Sequence, residues 1–268
     1  MTFPVGMIPY TNMAPYRELG APVDCTFMPC VPRESIAALK RGHILAAAVP
    51  VGGLLVLEEM VEPAGRFGIA AKEESKSVLF FSDRPFAKIR APGMVYLTDE
   101  SASSIRLLYL LIGYRHGFDS VPYVTNNIRK ANGELVIGDK ALKKRFGPDN
   151  KAHDQPEPNF DYITDLAEEW YVFHKLPFVF ARWVVRKDAP VKLREALENW
   201  LAEFQEREEE LVNRSAPEAA KSIGVPIEDI MDYFRTMRRT LDDEDIAGQE
   251  LFLQELQKHT REPLFDRV

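Results

Sequence analysis

Met94-Val95-Tyr96-Leu97-Thr98, then Asp99-Glu100-Ser101, then Ser103 to His116 with Gly117 behind it, is the stretch around which the chain is organised. The first five residues predict a short buried strand, the next three a tight connection, and the remainder a helix stopped by glycine. The helix opens on Ser101, Ser103 and Ser104 and runs apolar through Ile105, Leu107, Leu108, Leu110, Leu111 and Ile112. Hydroxyls at a helix start satisfy backbone N–H groups that have no partner in the helix. The same N–H groups, at the positive end of the helix dipole, hold a carboxylate or a phosphate instead. One serine suffices for a cap, so three make this strand-to-helix junction a candidate anion site.

The same alternation extends on both sides. Val5 to Tyr10, Val23 to Met28, Ile44 to Val51 and Phe67 to Ala71 predict strands, with helices at Met13 to Leu19, Pro32 to Arg41 and from Gly52-Gly53 to Glu59. Short apolar strands alternating with amphipathic helices predict a mainly parallel sheet, whose sites form at the carboxyl ends of strands. Asn12, Gly52 and Ser101 all fall there. Asn12 stands where strand hands over to helix, so its amide either caps the helix or offers a donor and an acceptor to a ligand. Asp139, which follows the strand Glu134 to Ile137, either caps its helix or meets a ligand hydroxyl.

Two strands differ in character. Ser75 to Ser82 and Pro177 to Arg186 are apolar on both faces, a complete small α/β unit lies between them, and the chain after the second is wholly helical. This order predicts an α/β fold of two lobes joined by two crossing strands. The first lobe is expected at 1–82 plus 182–268, the inserted lobe at 83–181, and a ligand cleft between them. In the C-terminal part Leu193, Leu197, Trp200, Leu201 and Phe204 recur at helical spacing, and further helices are expected at Pro217 to Ile223, Ile227 to Arg238 and Asp243 to His259.

Composition narrows the function. With 268 residues, 46% hydrophobic and 28% charged, the chain has the makeup of a globular protein, and its formal charge of -7 argues against nucleic acid as a partner. No apolar run approaches the ~20 residues of a membrane helix, and no export signal opens the sequence, which reads as cytoplasmic. The two cysteines, Cys25 and Cys30, and the five histidines share no metal spacing. Gly-x-Gly-x-x-Gly, the phosphate loop, His-Glu-x-x-His and Gly-x-Ser-x-Gly are all absent. Neither a metal nor a cofactor is expected. What remains is a cleft edged by small hydroxyl and amide donors and short of general bases. It suits binding and orienting a small polyanion, and any reaction there should be one that positioning and charge placement can drive.

Five motifs give this cleft a relative. Ile8-Pro9-Tyr10-Thr11-Asn12 with Pro15 comes first, then Ser75-Lys76-Ser77-Val78-Leu79 and Ser101-Ala102-Ser103-Ser104. Val136-Ile137-Gly138-Asp139-Lys140-Ala141-Leu142 follows, then Asp165-Leu166 leading to Trp170 and Leu176 to Ala181. In this order the chain resembles the chorismate dehydratase family of the futalosine route to menaquinone, over roughly residues 5 to 186. The resemblance implies a type II periplasmic-binding-protein-like fold and a lyase that converts chorismate to 3-enolpyruvylbenzoate and water. It implies Asn12 and Ser77 as the catalytic contacts, with Ser77 donating to a carboxylate or to the leaving hydroxyl. Asn12 would hold the enolpyruvyl arm. Ser101, Ala102, Ser103 and Ser104 would hold a carboxylate of this small dicarboxylate substrate, in a monomer or homodimer.

Two departures stand out. Pro50-Val51-Gly52-Gly53 replaces expected hydroxyl residues, leaving the Gly52 and Gly53 backbone N–H groups as substitutes, and Ala102-Ser103 replaces a residue followed by threonine. Two alternatives stay open. One is a non-catalytic solute-binding protein for an aromatic or enolpyruvyl carboxylate. The other is the sister dihydroxynaphthoate synthase, whose Cys-Pro-Asn-Asp-like start and catalytic histidine are not evident here.

Overall fold

The structure, a computed structural model, describes residues 2–98, 100–101, 103–147, 160–259 and 263–266. Ala102, Asp99 and most of the Gly147 to Pro158 loop lie outside the described residues. The expected alternation is present. The first sheet contains β1 (Phe3–Met7), β2 (Cys25–Pro29), β3 (Ala46–Pro50), β4 (Val61–Ala71), a long return strand at Phe178–Arg186 and a short one at Met237–Thr240. Helices α1 (Ala14–Leu19) and α2 (Pro32–Lys40) connect its parallel strands. The second sheet contains β5 (Val78–Ser82), β6 (Met94–Leu97), β7 (Tyr123–Val124), β8 (Gly133–Ile137) and β9 (Tyr162–Asp165), with α3 (Ser103–His116) and α4 (Gly138–Phe146) between them and α5 (Leu166–His174) after β9. The return strand is β10, and the Met237–Thr240 strand is β11. Both sheets are mixed, because β5 and β10 run antiparallel to the strands they pair with.

The sheet pairing moves the crossings. Ser75 to Ser82 was expected to belong to the first lobe, yet β5 pairs with β8 and β9 in the second sheet. The part of β10 before Arg182 was expected in the inserted lobe, yet β10 lies wholly between β3 and β4 in the first sheet. The chain therefore crosses at residues 72–77 and 175–177. A strand apolar on both faces is one buried in the middle of a sheet, and that signature does not say which sheet.

The C-terminal third also departs from expectation. α6 (Val191–Ile223) is one helix that continues through Pro217, because its buried stripe goes on through Ala216, Ala219, Ala220 and Ile223. α7 (Ile227–Thr236) ends earlier than expected and gives way to β11, whose Met237 and Arg239 point inward with period two. Helix α8 (Asp243–His259) bridges the two lobes. It packs on β10 and on α3, and Phe252 meets the rings of Trp170 and Phe178. Beyond it, the Val124 N–H donates to the Asp266 carbonyl, 2.8 Å. One apolar core runs through both lobes, from the Tyr16, Trp183, Trp200 and Phe204 cluster to Leu107, Leu108, Leu111 and Trp170. The middle of α3, from Leu107 to Gly113, is apolar all round because it is buried on every side, and the helix ends at Gly117, whose φ of +82° favours glycine.

Candidate functional site

The cleft is built on the turn that carries the chain across for the first time. Ser75 and Lys76 donate their backbone N–H groups to the Asp165 carboxylate at 2.9 and 2.7 Å, and the Ser75 hydroxyl donates to it at 2.9 Å. The same carboxylate caps α5 by accepting from the Ala167 N–H at 2.9 Å. Burial pushes the Asp165 carboxyl up from its ordinary value, and the four donated bonds oppose that rise. This clamp holds Lys76 at a φ of +58°, in the left-handed region that costs a non-glycine residue about 1–2 kcal/mol. The distorted turn presents the next side chain, Ser77, to the cleft.

On the facing lobe, Asn12 sits in a 3-10 turn, Thr11–Met13, and caps nothing. Its Oδ1 is buried and has no hydrogen-bond partner among the described residues. Arg17 pins this loop by donating to the Ile8 and Tyr10 carbonyls, both at 3.0 Å. Asn12 and Ser77 line one cavity of about 60 Å³ together with Tyr10, Ser101, Ser103 and Ser104. Ile8, Ile69, Val78, Ile137, Phe180 and Met237 give the cavity an apolar floor, and among the described residues no charged side chain lines it.

The three serines at the start of α3 are already engaged, two with each other and one with the facing lobe. Ser101 Oγ accepts from the Ser104 N–H at 3.0 Å and donates to Ser104 Oγ at 2.9 Å, so Ser101 is the helix cap. Ser103 Oγ accepts from the Gly52 N–H at 2.9 Å across the cleft. The Gly52 N–H, expected to face a ligand, thus joins the lobes. Gly53 points away, since a Cβ there would lie 2.5 Å from Ile36 Cδ1. Asp139 also joins the lobes, its carboxylate accepting from the Thr11 N–H at 2.8 Å. Tyr10 completes the seam by donating to Glu100 at 2.7 Å, and Lys140 donates to the same carboxylate at 2.6 Å. Burial opposes ionisation of Glu100, but Lys140 and Tyr10 outweigh it and hold its carboxyl below the usual range.

Glycine at 52 permits this approach, for a Cβ there would lie 3.2 Å from Ser103 Oγ and 3.3 Å from Arg106 Cδ. Gly52→Val is expected to part the seam, at an overpacking cost of about 1–3 kcal/mol. A larger radius of gyration by small-angle scattering checks it, and an unchanged profile would show that the seam tolerates a side chain. Outward from Ser101 a wider groove of about 830 Å³ opens, and Arg33, Arg106 and Lys140 line it. These cations give an anion a local path towards a chain whose net charge is -7.

A family model described as menaquinone biosynthesis matches residues 3–258. The chain belongs to the menaquinone biosynthesis family. A curated relative, the chorismate dehydratase of Thermus thermophilus, is 25% identical over 266 residues, covering 94% of each chain. Among solved structures, protein AF1704 from Archaeoglobus fulgidus is 12% identical with a TM-score of 0.66, over 96% of this chain and 97% of that one. The periplasmic aliphatic sulphonate binding protein SsuA of Escherichia coli is 12% identical with a TM-score of 0.54, over 96% of this chain and 87% of that one. The menaquinone biosynthesis family member described here therefore has the two-lobed, periplasmic-binding-protein-like fold.

Sequence reasoning missed three supports of this family member's cleft. Arg17 and Asp165 carry local signals, an arginine on the helix after the Asn12 loop and an aspartate at a helix start. Tyr233 on α7, which donates to Ser77 Oγ at 3.1 Å, carries none. It lies 156 residues away in sequence and reads as one more apolar helix position.

Proposed function

We propose that this protein is a chorismate dehydratase, releasing water and 3-enolpyruvylbenzoate. The observation that carries the reading is the pairing inside the inner cavity. Asn12 Oδ1 is an acceptor without a donor, and the Ser77 hydroxyl, already accepting from Tyr233, has its own proton to give. A ligand that satisfies both brings a donor and an acceptor into a space of about 60 Å³. With both carboxylates ionised, the ring hydroxyl is chorismate's only donor, and its oxygen is an acceptor. The hydroxyl that leaves as water therefore sits between Asn12 and Ser77. This gives Asn12 the ring hydroxyl in place of the enolpyruvyl arm.

The reaction follows from that placement. The ring proton next to the leaving hydroxyl is removed by the substrate's own enolpyruvyl carboxylate, since no side-chain base lines the cavity among the described residues. The C–O bond breaks, the departing hydroxide takes up the proton that the enolpyruvyl carboxylate removed and leaves as water, which returns that group to its carboxylate form, and the ring becomes aromatic. Ser77 donates to the oxygen as negative charge develops on it, which is where a fixed donor lowers the barrier. The apolar floor takes the ring face. Ligand pockets commonly measure ~300–1,000 Å³, so the lobes separate at the Tyr10, Thr11 and Gly52 seam to admit the substrate.

The test is a product assay. Purified protein mixed with chorismate is expected to generate an aromatic product, identified by mass as chorismate minus water. Chorismate that binds without being consumed would replace this reading with a solute-binding protein.

A further inference from the structure

We propose that Tyr233 is a positioning residue that aims the Ser77 proton into the cleft. The inference rests on the proposed reaction, because it assigns a role to the hydroxyl placed against the leaving group. Tyr233 is fully buried on α7, and its phenol donates to Ser77 Oγ at 3.1 Å. Burial holds that phenol protonated, well above the ordinary tyrosine range. A buried phenol proton needs an acceptor, and Ser77 Oγ is the one it has.

The consequence concerns a single hydrogen. A serine hydroxyl has one proton and rotates freely unless a partner selects its orientation. With one lone pair taken by Tyr233, the Ser77 proton must turn elsewhere, and no acceptor for it is found among the described residues. The direction left is the cavity that Ser77 shares with Asn12. Accepting one hydrogen bond also polarises a hydroxyl and strengthens the one it donates. α7 holds the phenol in register by a second tie one residue away, where Asp232 pairs with Lys76. Adjacent residues of the helix thus grip adjacent residues of the crossing turn.

Tyr233→Phe keeps the ring and removes only the donor. Its kcat on chorismate is expected to fall roughly ten-fold, the kinetic equivalent of one hydrogen bond, with KM within about two-fold. The deciding readout is the cycle with Ser77→Ala: once Ser77 is alanine, adding Tyr233→Phe should cost nothing more. A Tyr233→Phe variant with unchanged kcat would overturn the proposal, as would one whose loss persists undiminished in the Ser77→Ala background.

Failure of the dehydratase reading gives a different pattern. The unmodified chain would then not consume chorismate, and the cycle is read in the calorimetric Kd for chorismate. A ligand-free measurement closes the test. The Tyr233 hydroxyl proton should exchange slowly and show a nuclear Overhauser contact to the Ser77 β-protons, whereas a fast-exchanging phenol proton without that contact would overturn the proposal.

Discussion

Ser77→Ala is expected to lower kcat on chorismate by about 10²- to 10³-fold, the loss typical of removing one fixed donor to a developing negative oxygen. The melting temperature should move little. Among the described residues Ser77 Oγ has one side-chain partner, Tyr233, while the turn is held through Ser75, Lys76 and the Gly138 N–H that donates to the Ser77 carbonyl at 2.8 Å. Alanine removes the proton donor and leaves that backbone frame in place. Asn12→Ala belongs to the same experiment and should be weaker. It removes an acceptor that orients the substrate hydroxyl, while Ser77 still meets the charge that forms as the bond breaks. Steady-state kinetics with product quantified by mass spectrometry separate the two, and a Ser77→Ala enzyme at near-native rate would remove the assignment of the leaving group.

Asp165→Ala is expected to have the largest effect on stability. The carboxylate accepts four hydrogen bonds, three from backbone N–H groups of Ser75, Lys76 and Ala167 and one from the Ser75 hydroxyl. Each buried donor left without a partner costs about 1–3 kcal/mol, and water entering the space left by the side chain recovers part of that. A loss of about 3–5 kcal/mol follows, visible in urea unfolding and as a fall in Tm of roughly 10 °C. Activity should fall as well even where the fold survives, because the left-handed Lys76 is kept in place by this clamp and Ser77 follows it. Asp165→Asn sharpens the test. It keeps the volume but turns an amide N–H towards donors, so most of the loss should remain. A cost below about 1 kcal/mol in both variants would show that the turn holds its own shape.

Much of this architecture was legible along the chain. The Met94 to Gly117 reading matches the structure to within a residue at its strand and at its helix, because a short apolar run before hydroxyls and a glycine stop are local signals. Asn12, Ser77, Ser101, Ser103 and Ser104 do converge on one cavity. Gly52, Gly53 and Asp139 do not line it. A glycine pair or a strand-end carboxylate says what backbone is allowed there, not which neighbour the other lobe brings up. Gly52 and Asp139 meet Ser103 and Thr11 across the seam, and that pairing depends on how the two sheets dock.

What this sequence determined alone is what lies within a few residues: the strands and helices from their periodicity, and the two-lobe order from two apolar strands enclosing an α/β unit. The tertiary structure decided which sheet each crossing strand joins, that α8 reaches back to the inserted lobe, and that Tyr233 and Asp165 meet the Ser75 to Ser77 turn. The physical reason is range. Periodicity and capping are settled by neighbours one to four places away, whereas a hydrogen bond between Tyr233 and Ser77 exists only after the whole intervening lobe has folded between them.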